Sequence, residues 1–155
     1  MLAPGLVAQL ESARKFFGTT TSIFDEADAG YSPTAEMYSV AGQVAHVADT
    51  LDWFVDGALG KGWDMDFEAA TARAKTPRTL TEAREMLDRA FSRAISVVGS
   101  ASDETLREPI PNDMILDGAP RMAVLGAITD HTAHHRGSLA VYARLLGKVP
   151  PMPYA

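Results

Sequence analysis

Four stretches of this chain repeat apolar residues at steps of three and four, and the second and third are separated by a connection running from residue 60 to 78. That connection constrains the fold more than any other feature. Antiparallel neighbours need only a few linking residues, whereas a segment this long can travel the whole length of a helix of about 30 Å and start the next helix in the same direction. The expected fold is therefore all-α: a four-helix bundle of up-down-down-up order with a long crossover between its second and third helices.

The boundaries of the four stretches come from capping signals. Pro4 suits a first turn, and Leu6, Leu10, Ala13, Phe17 and Phe24 carry a first helix over roughly 4 to 27, before Gly30-Tyr31-Ser32-Pro33 breaks it. Ser39 is a good N-cap for a second helix bearing Val40, Val44, Val47, Leu51 and Phe54, which should stop by Gly60-Lys61-Gly62. Thr79-Leu80-Thr81-Glu82 reads as a capping box opening a third, striped by Ala83, Leu87, Ala90, Ala94 and Val97 up to Gly99. The last helix is expected from Pro120 to Gly147, with Val124, Ile128, His131, His135, Tyr142 and Leu145 on one stripe. Met114-Ile115-Leu116, between Pro111 and Gly118, allows a short extended excursion and is the one competing signal.

A length of 155 residues with 46% hydrophobic and 22% charged residues suits a single globular domain over 1–155. The formal net charge of −6 and the lack of a basic stripe argue against nucleic acid as a partner. No apolar run is long enough to span a membrane, and MLAPGLVAQLESARKFF lacks the basic start and unbroken apolar stretch of an export signal, so the expected compartment is the cytoplasm. With no cysteine, disulfides, thiolate-bound zinc, iron–sulfur clusters and Cys nucleophiles all drop out. Any metal must then be held by histidine, carboxylate or water.

Three of the four histidines lie in DHTAHHRGSL, residues 130 to 139. On a helix, residues four apart differ by about 40° in direction and about 6 Å in rise, so His131 and His135 can turn both imidazoles toward one ion. Two imidazoles in an apolar stripe need partners that a bundle core seldom provides, which tilts the pair toward metal binding rather than plain core packing. His134 is offset by about 100° from His135 and is expected to stand apart. A third ligand has to come from elsewhere, and His46, in GQVAHVADTLDWF, is the remaining histidine. By position alone, His46 is equally well read as a core histidine at the edge of its stripe.

The block HTAHHRGSLAVYARLLGKVPPMPY, preceded by YSVAGQVAHVAD, resembles the DinB-like (DinB/YfiT-like) superfamily, from Tyr38 to the C-terminus. Its most specific part is the HxxxHRG ending followed by a helix and a proline-rich tail. The resemblance implies the same bundle order, a divalent metal held by His46, His131 and His135, and often a homodimer. Ser138 departs from the pattern, standing where relatives commonly have Gln. Activities in the superfamily diverge; some members resemble S-transferases or isomerases that use small thiols such as bacillithiol or mycothiol.

Three neutral imidazoles leave a divalent ion its full charge and an open position, the catalytic rather than the structural pattern. Such an ion brings a coordinated water to a pKa near 7, or holds a thiol as its thiolate. Imidazole suits several metals, with zinc the first expectation and nickel the second. The reading favoured at this level is an enzyme acting on a small molecule, of the thiol-dependent S-transferase type, with a low-molecular-weight thiol as cosubstrate. Metal-dependent hydrolysis, or a non-catalytic bundle stapled by its ion, are the alternatives. Asp49 and Tyr142 are candidates for supporting the ligands or lining a pocket, although Asp49 reads equally as a solvated helix residue and Tyr142 as core. Asp130 is the other nearby carboxylate, and Arg136 would suit either an anionic substrate or a salt bridge on the bundle flank. There is no GxSxG, Walker A, GxGxxG or HExxH pattern to support a different chemistry. Surplus apolar bulk on the first helix, at Phe16, Phe17, Ile23 and Phe24, is consistent with a homodimer.

Overall fold

A computed structural model describes residues 1–111 and 114–154, and the regular structure among them is helical. Four long helices form the bundle: α1 (Ala3–Thr21), α2 (Val40–Leu59), α4 (Leu80–Ser100) and α6 (Val124–Leu145). Two shorter ones, α3 (Phe67–Lys75) and α5 (Asp103–Arg107), lie in the connections. Around the bundle α2 packs on α4, α4 on α1, α1 on α6 and α6 on α2. Consecutive long helices α1 and α2, and likewise α4 and α6, therefore stand at opposite corners.

Side-chain bridges give the directions. Arg93, late in α4, bonds Asp52 (2.7 Å) and Asp56 late in α2, so these two run parallel. Arg14 of α1 meets Asp88 of α4 at 2.8 Å while Arg84 reaches the Thr21 carbonyl, which makes α1 and α4 antiparallel. Gln43 of α2 meets His135 of α6, and Arg121, just ahead of α6, reaches the Ala58 carbonyl, again antiparallel. The order is up-down-down-up.

The crossover is built as the sequence requires, and it also contains a helix that periodicity does not reveal. α3 opens at Asp66, whose carboxylate accepts from the Ala69 amide, and it closes with Arg73 and Lys75 at its negative end. It buries only Ala74, so it has no stripe to read. Two glycines of α2 let the crossover lie close. A Cβ on Gly57 would sit 2.1 Å from Cε3 of Trp63, and one on Gly42 would sit 2.7 Å from the Ala74 carbonyl oxygen. Gly57→Ala should therefore destabilise the fold by about 1–3 kcal/mol through overpacking against the indole. Urea denaturation reads this directly, and an unchanged midpoint would show that Trp63 does not pin the crossover.

Three boundaries differ from expectation. α1 ends at Thr21 rather than near 27, because Asp25 and Asp28 cap each other reciprocally and start a short 3₁₀ turn over Glu26–Asp28. Phe24 keeps helical spacing yet is buried from a loop. Pro120 is not the first residue of α6: it pairs with Pro109 in an isolated bridge, and one 3₁₀ turn, Arg121–Ala123, intervenes. The extended excursion is thus not at Met114-Ile115-Leu116, where the chain turns and Leu116 and Asp117 take left-handed backbone with φ 55° and 48°. At its far end α6 stops in a Schellman motif, with Gly147 at φ 75° and the Lys148 amide bonded to the Ala143 carbonyl at 2.8 Å.

The core explains helix 1 without a second chain. Phe17 and Phe24 are buried, Ile23 packs against the core, and Phe16 is covered edge-on by Tyr154, ring centroids 4.9 Å apart. The apolar surplus read from the sequence is thus taken up within the chain. No helix among the described residues is long and apolar enough to cross a membrane.

Candidate metal centre

Antiparallel packing of α2 on α6 brings His46 against His131 and His135. The His46 and His131 Nε2 atoms are 3.2 Å apart, and the three rings lie with centroids 5.0, 4.8 and 4.5 Å from one another. One nitrogen from each falls within 4.8 Å of the other two. His134, rotated by about 100° from His135 on the helix, is exposed and lies outside this group.

Burial lowers the basicity of all three imidazoles. His131 falls to about 4, through desolvation and then the neighbouring His46, and His135 falls to about 3, through desolvation and then His131. His46 is lowered for the same leading reason, opposed by the Asp49 charge. The cluster is therefore uncharged at pH 7, with a ring nitrogen from each imidazole within reach of the other two.

That donor set fits a divalent transition ion. Two imidazole nitrogens on one tetrahedral zinc, each at roughly 2.0–2.1 Å, stand about 3.3 Å apart. The observed 3.2 Å between His46 and His131 matches this separation. The cluster is also oriented from behind. His135 Nδ1 donates to Gln43 Oε1 at 2.9 Å, which leaves its Nε2 unprotonated, and Gln43 Nε2 donates to Ser138 Oγ at 3.2 Å. Gln43 is 3% exposed. Sequence reading missed it, although a glutamine inside the apolar run Val40–Ala48 is itself a signal that a buried partner exists. Ser138 is thereby placed in the chain of bonds behind His135.

The other candidates separate. Asp49, one turn beyond His46 on α2, bonds no imidazole; it lines a cavity of about 290 Å³ together with His46 and His131. Burial pushes its carboxyl up, opposed by Arg73, whose Nε is 4.0 Å away. Tyr142 is 2% exposed, its hydroxyl donates to the Tyr38 carbonyl at 3.0 Å, tying α6 to the segment ahead of α2, and it also hydrogen-bonds Gln43, the residue behind His135. Burial raises its pKa. Asp130 is exposed. Arg136 sits on the flank over the Phe16 and Tyr154 rings, 5.9 and 5.6 Å from their centroids, a cation–π position rather than an ion pair.

The fold and cluster together define an all-α bundle with a three-histidine cluster able to hold a metal ion. Residues 9–139 match the model of the DinB superfamily, and the chain belongs to that family. Two solved structures from Bacillus subtilis are similar to it. The DinB-like protein YjoA is 19% identical at a TM-score of 0.70, with 95% of this chain and 96% of that one covered. YfiT, described as a probable metal-dependent hydrolase with an unusual four-helix bundle topology, is 14% identical at a TM-score of 0.70, with 94% and 88% covered. No curated protein matches the chain.

Proposed function

We propose that this protein is a metal-dependent enzyme that hydrolyses a small molecule, with His46, His131 and His135 holding one divalent ion, zinc first and nickel second, and Asp49 serving as the base. The carrying observation is that Asp49 lines the same cavity as His46 and His131. A carboxylate that bonds no ligand ring, beside a cavity reaching the cluster, has the placement of a general base rather than of a ligand support. Its raised pKa also brings it closer to the operating range of such a base.

When bound, the ion supplies Lewis acidity to a carbonyl or to water in its open position. The chain's own residues do the rest. Gln43, held by Ser138, sets the His135 tautomer; the aromatic side chains of the cavity offer the substrate an apolar wall; Asp49 takes a proton from the attacking water and returns it to the leaving alkoxide or amine as the C–O or C–N bond breaks, and Arg73 steadies the carboxylate. Metal-dependent hydrolysis is preferred to the thiol transfer expected from the sequence because Asp49 is available to the cavity and because YfiT is described as a probable hydrolase. A solvent-connected cavity at the cluster likewise weighs against a purely structural staple. A homodimer belongs to the same proposal on family resemblance, and a cytoplasmic place on the sequence reading; light scattering at micromolar concentration would detect the dimer.

A panel of esters, lactones and amides, assayed with protein carrying one ion per chain, should include substrates with saturable turnover that stops on chelation and returns with metal. A metal-loaded protein inert across esters, amides, and thiols with electrophiles would make the staple reading the better one.

A further inference from the structure

The cavity beside the histidine cluster has an aromatic wall, and the crossover builds half of it. Trp53 and Phe54 come from α2, and Phe67 and Ala70 from α3. The Trp53 and Phe67 ring centroids are 6.0 Å apart at 65°. Trp53 cannot swing freely: its Nε1 donates to the Asp64 carbonyl at 2.6 Å, and Trp63 braces it with ring centroids 4.6 Å apart. Its one polar hydrogen is therefore spent on the crossover backbone, and its ring is left as an apolar wall. Phe67, in contrast, is 55% exposed, a large side chain left uncovered at the cavity's edge.

Its polar lining is His46 and His131 of the cluster with Asp49 one turn further along α2, and beyond them Thr50, Asp64, Asp66 and Arg73. Arg73 is the one Lys or Arg among the described lining residues, and it faces Asp49 at 4.0 Å. Asp66 caps the positive end of α3, so that helix end is not left to attract an anion. Three carboxylates against one guanidinium make the entrance unfavourable for negative charge. At about 290 Å³ the cavity lies at the small end of ligand pockets.

We propose that this cavity selects a small, uncharged ester or amide with an aromatic body, its ring packed on the wall made by Trp53, Phe54 and Phe67 and its carbonyl toward His46 and His131, and that the lining carboxylates reject anions. The carbonyl assignment rests on the hydrolase reading; the preference for a neutral aromatic body does not.

The test uses 2-naphthylmethanol and 2-naphthoate as matched probes, with binding followed by saturation-transfer NMR and equilibrium dialysis on the purified protein, with and without chelator. The alcohol should bind in both conditions, and naphthoate should bind at least tenfold more weakly in chelator, where no ion can recruit its carboxylate. Ala70→Trp, filling the cavity from the half-buried face of α3, should weaken the alcohol at least tenfold with metal content unchanged, and the surface change Phe67→Ser should weaken it severalfold. Asp64→Asn should narrow the gap between alcohol and carboxylate. Absence of alcohol binding, equal binding of naphthoate, or full binding by both Ala70→Trp and Phe67→Ser would overturn the proposal. Intact probe binding with no turnover of naphthyl esters would sink hydrolysis and leave the pocket standing.

Discussion

Alanine at His135 should abolish metal binding, from about one ion per chain in the wild type to none detectable by elemental analysis after dialysis. His135 is the buried member of the cluster, and its orientation is set by the Gln43–Ser138 pair, so a water left in its place cannot restore a fixed nitrogen donor. His131→Ala should do the same, and His134→Ala should bind like wild type because that ring is outside the cluster. Gln43→Leu keeps all three imidazoles but loses the acceptor on Nδ1, and a weakening of about 10- to 100-fold is expected. Because the donors come from α2 and α6, the ion also links two helices. A ligand present at roughly 1,000 times its Kd stabilises the native state by about 4 kcal/mol. For a domain of this size that corresponds to roughly 8 to 16 °C in Tm, lost on chelation while the helical circular dichroism persists. Retained metal in His135→Ala with loss in His134→Ala would refute the ligand assignment, and a Tm indifferent to chelation would refute the link between helices.

What could be read from the chain alone depended on whether a residue's role showed in its spacing. The long helices are legible because each buries a continuous stripe, and the third because Thr79 and Glu82 do bond reciprocally, Thr79 N to Glu82 Oε2 at 2.8 Å and Glu82 N to Thr79 Oγ1 at 3.1 Å. The histidine pair is legible since i, i+4 geometry is local, whereas the approach of His46 depends on the register of α2 against α6 and became readable only through family resemblance. α3 hides because it buries one alanine, although Asp66 before it and the basic residues at its end were available signs. α5 hides because it is one turn, with Ser102 as its cap. Phe24 misled because a loop residue can reach the core at helical spacing by chance. Gln43 was signalled only as a glutamine in an apolar run, without its partner, and the aromatic cavity was not legible: both contacts exist only once the crossover and α6 are packed on α2.

Asparagine at Asp49 separates the two chemistries open to an ion with three neutral ligands. If the carboxylate takes a proton from water, Asp49→Asn should lower kcat/KM about 10²- to 10⁴-fold, the usual worth of a general base, with metal content unchanged. The exchange preserves shape and removes only charge and basicity, and Asp49 bonds no imidazole, so the cluster should persist. In the wild type the active form is the ionised carboxylate. Activity should therefore rise with pH through an apparent pKa above the ordinary value for aspartate, since burial raises this group. The limb should vanish in Asp49→Asn. Thiol transfer predicts a different pattern. The chain has no cysteine, so the thiol would have to be delivered as a small molecule and deprotonated at the ion, without need of a protein base. Turnover of an electrophile that requires added low-molecular-weight thiol, stops on chelation and largely survives Asp49→Asn would therefore replace the hydrolase reading with the transferase one. Thiol-independent turnover that collapses in Asp49→Asn, with the acid limb lost, would establish hydrolysis with Asp49 as the base.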